Sequence, residues 1–138
     1  MLAVDNHHEF FTTERFGAEC LWFDHGFVSY NFINRLYKKS LSKLELSFEC
    51  CSEITYHRED WPSDISVLLN GIDLLTFLSP GDFGGRRGRY TPKDWYINST
   101  QYGLLYKITI DKNGTFLNNT QVSNTTIDDF KLDTAPPT

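Results

Sequence analysis

Residues 79–89 read SPGDFGGRRGR and bring three arginines, one aspartate and four glycines into eleven positions. Planar guanidinium groups grip carboxylates and phosphates through paired N–H donors, which makes Arg86, Arg87 and Arg89 candidates for anion binding. Glycines at 81, 84, 85 and 88 admit positive φ, and a backbone so shaped turns successive N–H groups toward an anion. The chemistry this suggests is capture of a sugar acid or another anionic metabolite. The plainer expectation is that the arginines pair with some of the chain's own 18 acidic residues and that the glycines fit a tight β connection. Asp82 in the same loop and Asp64 upstream would accept sugar hydroxyls, while Trp61, Trp95 and Tyr96 would offer flat apolar faces to a sugar ring. Taken singly, Trp61 and Trp95 also suit core or corner positions, and Asp64 a turn cap.

For these side chains to meet, the segment between them must double back. Ile65 to Leu69 and Ile72 to Phe77 flank Asn70-Gly71, a pair suited to a two-residue hairpin turn in which both central positions take positive φ. Its register sets Leu69 against Ile72 and Val67 against Leu74. A loop at 61–64 before the first strand and the glycine loop after the second then lie toward one end of the sheet. Other strands are equally plain. In Leu44-Glu45-Leu46-Ser47-Phe48-Glu49-Cys50 every second residue is apolar, the pattern of a half-buried strand. Residues 20–23 and 27–32 flank Asp24-His25-Gly26 and read as a hairpin. Residues 104–110 and 115–117 are joined by Asp111-Lys112-Asn113-Gly114, and Asn118-Asn119 turns the chain again before Gln121-Val122. Residues 34–43 form a polar loop with at most one helical turn.

With 11 Phe, 7 Tyr and 3 Trp against three alanines, the composition favours strands over helices. Strands about every 8 to 12 residues, joined by Gly, Asn and Asp turns, predict an all-β protein, an antiparallel sandwich of jelly-roll type. At 138 residues it is expected to be one domain over 1–138, with loose ends at 1–10 and 133–138, stopping where a further strand would begin. A net charge of -5 excludes the basic excess of a nucleic-acid binder. No apolar run reaches the roughly 18 residues of a membrane span, and the N-terminus lacks the pattern of a signal peptide, so the expected location is cytoplasmic with no membrane contact. Adjacent Cys50 and Cys51 point to opposite faces of a strand and are expected to be reduced thiols. Four N-x-S/T sequons, at Asn98, Asn113, Asn118 and Asn124, then reflect an Asn- and Thr-rich composition.

The stretches TTERFGAECLWFDHGFVSYNF, LELSFECCSE, DWPSDISVLLNGI and SPGDFGGRRGRYTP together resemble the C-terminal domain of a group of bacterial predicted transcriptional regulators with an ArsR-like winged helix-turn-helix at the N-terminus. The likeness runs from about Phe11 to Leu132 and rests most on DWPSD and PGDFGGRRG. It implies a β-rich effector or regulatory module. Two departures stand out: no segment here has a helix-turn-helix pattern with a basic recognition helix, and the group's domain continues past position 138. A missing edge strand would favour pairing with a second copy, a homodimer.

No Ser, Cys and His set with a partnered base is visible, so no catalytic residue is assigned and an enzyme is not expected. His7, His8 and Glu9 have no second cluster at ligand spacing, so no metal or other cofactor is expected. The function expected is a non-enzymatic ligand-sensing domain of a transcriptional regulator. Its ligand would be a sugar or anionic small molecule, and DNA would be reached only through a winged helix outside this chain. The alternatives are a carbohydrate-binding module and an architectural dimerisation domain.

Overall fold

The computed structural model of the protein describes residue 8 and residues 11–18, 20–23 and 25–133. Contacts gather the chain into two compact units, one built from Cys50–Ser63 and Ser79–Leu104 with the chain up to Val28, the other from Ser29–Glu49, Asp64–Leu78 and the chain from Leu105 onward. Six strands lie among the described residues: β1 (Lys43–Cys50), β2 (Ser63–Leu69), β3 (Ile72–Ser79), β4 (Leu104–Asp111), β5 (Gly114–Leu117) and β6 (Thr120–Ser123). They form a four-stranded sheet in the order β1-β4-β5-β6 and a two-stranded sheet, β2-β3. The chain is all-β, with six described strands where a jelly roll has eight.

Local chemistry explains the hairpins. Asn70 and Gly71 take φ of 51° and 79°, so both central residues of the β2–β3 turn are left-handed, and the turn twists with its strands. Asn118 and Asn119 do the same between β5 and β6, at 47° and 70°. The Asn118 side chain accepts the Lys107 N–H at 2.9 Å while its own N–H reaches the Lys107 carbonyl at 2.8 Å, which fixes the end of β5 against β4. β4 and β5 are antiparallel with Ile108 opposite Leu117 and Asp111 opposite Gly114. Asp111 also accepts the Asn113 N–H at 2.7 Å, closing that turn.

The inward residues of β1 are Leu44, Leu46, Phe48 and Cys50, as the alternation requires. In the hairpin Val67 and Leu74 both turn inward, and beyond Leu74 the inward positions of β3 change phase to Phe77 and Ser79. On the outer face Ser66 Oγ lies 2.7 Å from Thr76 Oγ1. β2 also begins at Ser63 rather than Ile65, so Asp64 stands in the strand with its side chain outward and not in the preceding loop. Its polar outward face hid that boundary.

The second unit's core holds Leu74, Ile108, Ile110, Ile127 and Phe130, with Leu44, Leu46, Phe48, Val67, Leu69 and Leu117 packed around them. Phe77 and Tyr106 add a ring contact of 4.4 Å beside Phe48. Ile127 and Phe130 reach this core from a short 3-10 turn, Ile127–Phe130, whose Asp129 carboxylate accepts the Thr126 N–H at 2.7 Å and hydroxyl at 3.0 Å. Those bonds hold the Asp129 carboxyl below its ordinary range.

The hairpin expected across 20–32 does not form. Its described residues carry no strand, and Phe27 is 90% exposed. The apolar runs and the turn sequence are there, but an isolated pair of strands needs a further apolar surface to be stable, and these side chains bury little. Residues 34–42 are a loop with a single turn at Tyr37 and Lys38, one residue shorter than expected because Lys43 opens β1. His7, Glu9, Asp24 and most of the ends at 1–10 and 133–138 lie outside the described residues. No described helix is long and apolar enough to cross a membrane.

Candidate functional site

In the first unit the glycine loop is held from two sides. On one side Ser52 donates its N–H to the Gly81 carbonyl at 3.0 Å and its hydroxyl to the Ser79 carbonyl at 3.2 Å. Arg58 and Asp82 exchange backbone hydrogen bonds of 3.1 and 2.9 Å. On the other side Gln101 donates to the Phe83 carbonyl at 2.7 Å, and Phe83 and Tyr102 form an antiparallel bridge with stacked rings 5.5 Å apart. Gly85 N–H reaches the Ile97 carbonyl at 3.2 Å, and the Thr91 hydroxyl donates to the Gln101 carbonyl. The loop is therefore a clamped element and not a loose connection.

That clamping changes the reason for the glycines. Of the four in the loop, only Gly85, at φ 75°, is left-handed. A Cβ on Gly81 would run into the Glu59 backbone, one on Gly84 into the His57 ring, and one on Gly88 into the Gln101 carbonyl and Thr91 hydroxyl. Three of the four are thus required by close approach, where positive φ was the expectation from sequence.

The three arginines have different surroundings. The Arg86 guanidinium lies over the Tyr102 ring, 3.8 Å from its centroid, a cation–π contact on an exposed face. Arg87 donates through Nη1 to the carbonyls of Pro92, at 3.2 Å, and Trp95, at 2.9 Å, bracing the loop that follows. Arg89 sits over its neighbour Tyr90 at 5.4 Å. Among the described residues no carboxylate comes within ion-pair distance of any of the three. The pairing with the chain's own acids that the charge balance suggested is absent there.

The other expected residues are dispersed. Tyr96 is 85% exposed, while its carbonyl accepts from the Ser99 N–H at 3.0 Å, the Ser99 hydroxyl at 2.7 Å and the Gln101 amide at 2.8 Å. Its ring is a presented apolar face on a fixed backbone. Trp95 meets Trp22 edge to face at 5.0 Å, a packing role. Trp61 carries the Arg58 guanidinium 5.1 Å from its ring centre, and Arg58 is turned to Asp60 by a 2.7 Å ion pair. Asp64 belongs to the second unit, apart from the other seven. Asp82 is fully buried: its Oδ2 accepts the Ile54 N–H at 3.0 Å and the Thr100 hydroxyl at 2.7 Å. Burial raises its carboxyl above the ordinary range, against the lowering effect of Thr100, Ile54 and His57. It is inaccessible to a sugar hydroxyl in this arrangement.

Sequence reasoning missed Glu53, His57, Thr100 and Tyr102, which complete the loop's surroundings. The available signal was the polar run Asn98-Ser99-Thr100-Gln101-Tyr102 directly before β4, too generic to single out. Cys51, next to the loop, has its thiol pushed up to about 12, chiefly by burial and then by the nearby Asp82 charge. A nucleophilic cysteine needs the opposite shift. Among the described residues no group of three His, Cys, Asp or Glu side chains is placed to hold a metal ion. Two concavities, of about 270 and 370 Å³, lie in the second unit, and none of the eight expected site residues lines either. No family model, curated protein or solved structure matches the chain.

Proposed function

We propose that this chain is a non-enzymatic regulatory β-module that binds a small anionic ligand, of the sugar-acid class, at the exposed Arg86 guanidinium on its Tyr102 ring. The observation carrying this reading is Arg86: a guanidinium oriented by an aromatic ring, on a rigid loop, with no carboxylate partner among the described residues. The Tyr102 ring holds the guanidinium in place while leaving N–H groups to donate, which suits a planar carboxylate. Tyr96, 85% exposed in the same unit, is an apolar face of the kind a sugar ring uses. The site is an open face and not a deep pocket, so weak binding at the level of a metabolite sensor is the expected regime.

The regulatory part rests on the likeness to winged-helix regulators. In such a protein a ligand acts by its differential affinity for two arrangements of the attached DNA-binding parts. Arg87 supports the architectural alternative for its own position only, because both of its hydrogen bonds go to backbone carbonyls.

Thermal unfolding with glucuronate, galacturonate, inorganic phosphate and neutral glucose tests the proposal. Ligand at ten times Kd should stabilise the native state by about 1.4 kcal/mol, a rise of roughly 4 °C in melting temperature. Arg86→Ala should stay folded and lose that rise. Equal shifts in the variant, or none from any anion, would overturn the assignment.

A further inference from the structure

Thr100 Oγ1 stands 2.7 Å from Asp82 Oδ2 and 3.1 Å from Glu53 Oε2. A threonine hydroxyl has one hydrogen, so it can donate to only one of two carboxylates, and the other contact would bring oxygen lone pairs together. A proton on either carboxyl resolves this, because the protonated group donates into the hydroxyl oxygen while the hydroxyl donates onward. The second carboxylate oxygen of Asp82 is also buried and accepts no hydrogen bond. An ionised carboxylate is poorly served there, and a neutral carboxylic acid is far less penalised. We propose that Glu53, Thr100 and Asp82 hold one proton between two carboxyls, so that this clasp on the Gly81–Gly85 loop is closed in mild acid and loosens when the pair loses that proton.

The surrounding charges agree with this. Glu53 is raised above the ordinary carboxylate range by burial first and by the Asp82 charge, against the Thr100 hydrogen bond. Cys51, whose thiol also senses Asp82 and Glu53, is neutral throughout the relevant range, and Cys50 is its neighbour. Arg58 meets Asp82 through its backbone while its guanidinium faces Asp60. His57 is the basic group whose field favours ionised Asp82, and its Nδ1 is engaged by the Asn98 carbonyl at 2.7 Å. That contact makes Nδ1 the protonated ring nitrogen, since a carbonyl only accepts.

The native pair thus binds a proton more tightly than the unfolded chain does. Its stabilisation is fully present below the ordinary carboxylate pKa and is lost as pH rises through the raised native value. The device is independent of any ligand at Arg86, and so is its test. Carbon-13 titration of the side-chain carboxyls in the intact protein should show Glu53 and Asp82 titrating as a coupled pair, with at least one step above the ordinary range. The melting temperature should fall by about 4 °C between pH 5 and pH 8, on the scale expected for a domain of this size. Asp82→Asn, whose oxygen at the Oδ2 position keeps the Ile54 N–H and leaves the Thr100 hydroxyl a single carboxylate to serve, should flatten this dependence, and Glu53→Gln should reduce it. Two carboxyls titrating separately in the ordinary range would overturn the proposal, as would folded variants that keep the wild-type pH slope. If neither variant folds, the wild-type titration decides alone.

Discussion

Gly81→Ala should lower stability by about 3 kcal/mol, seen as a fall of roughly 10 °C in melting temperature, at the upper end of the range for overpacking. The added methyl meets the Glu59 carbonyl and its attached backbone carbons, none of which can swing aside as a side chain would. Relief requires moving residues 58–60 away from the loop, and Arg58 is bound there to Asp82 by two backbone hydrogen bonds. The same displacement strains the Ile54 N–H bond to the Asp82 carboxyl, so loss should extend beyond the immediate contact. Gly17→Ala is the control: a Cβ there meets nothing within 4 Å, and the residue does not have positive φ. It should melt within a degree or two of the parent. A Gly81→Ala protein as stable as the parent would mean that the loop and the 58–60 segment are not packed as described.

Ile108→Ala is expected to cost about 4 kcal/mol, the range for a buried isoleucine or leucine whose site cannot collapse. Ile108 is fully buried among Leu74, Ile110, Ile127 and Phe130. Strands hydrogen-bonded on both sides cannot close the gap, because β4 sits between β1 and β5. Leu105, on the same strand but 69% exposed, gives the contrast, and Leu105→Ala should stay within about 0.5 kcal/mol. Urea denaturation reads the pair directly: the Ile108 variant should shift its midpoint with little change of slope, the mark of altered stability rather than altered compactness. Equal midpoints for the two variants would contradict the placement of this core.

Features fixed by neighbours along the chain were legible in the sequence. The alternation of β1, the Asn70-Gly71 and Asn118-Asn119 turns and the β4–β5 hairpin all depend on side-chain period and local φ, and each occurs. Residues 20–32 have two apolar runs flanking a turn sequence without the outcome, because a strand pair also needs a surface to cover, and that is a tertiary property. The change of phase along β3 is hidden for a related reason: nothing in Leu74-Leu75-Thr76 marks it.

At the site, composition picked out the glycine loop and assigned several of its parts differently from what the contacts give. Glycine is legible as permissive, but the obstacle that excludes a Cβ at Gly81 or Gly88 belongs to residues 59 and 101. Asp82 reads as an exposed acceptor in a polar loop; its burial depends on Thr100 and the Ile54 amide, distant along the chain. Arginines 86 and 87 are adjacent and chemically identical, yet one lies on a ring and the other on two carbonyls. Only the fold separates them.

That separation has a consequence for ionic strength. The carbonyls of Pro92 and Trp95 carry no net charge, so dissolved salt has little to screen in the attachment of Arg87. The Arg86 guanidinium, exposed on Tyr102, is open to bulk chloride, and its attraction for an incoming anion fades as the Debye length shrinks from about 10 Å at 0.1 M to about 3 Å at 1 M. Concentrated electrolyte would therefore silence the proposed recognition while leaving the brace standing, and two consecutive arginines would part company in a brine.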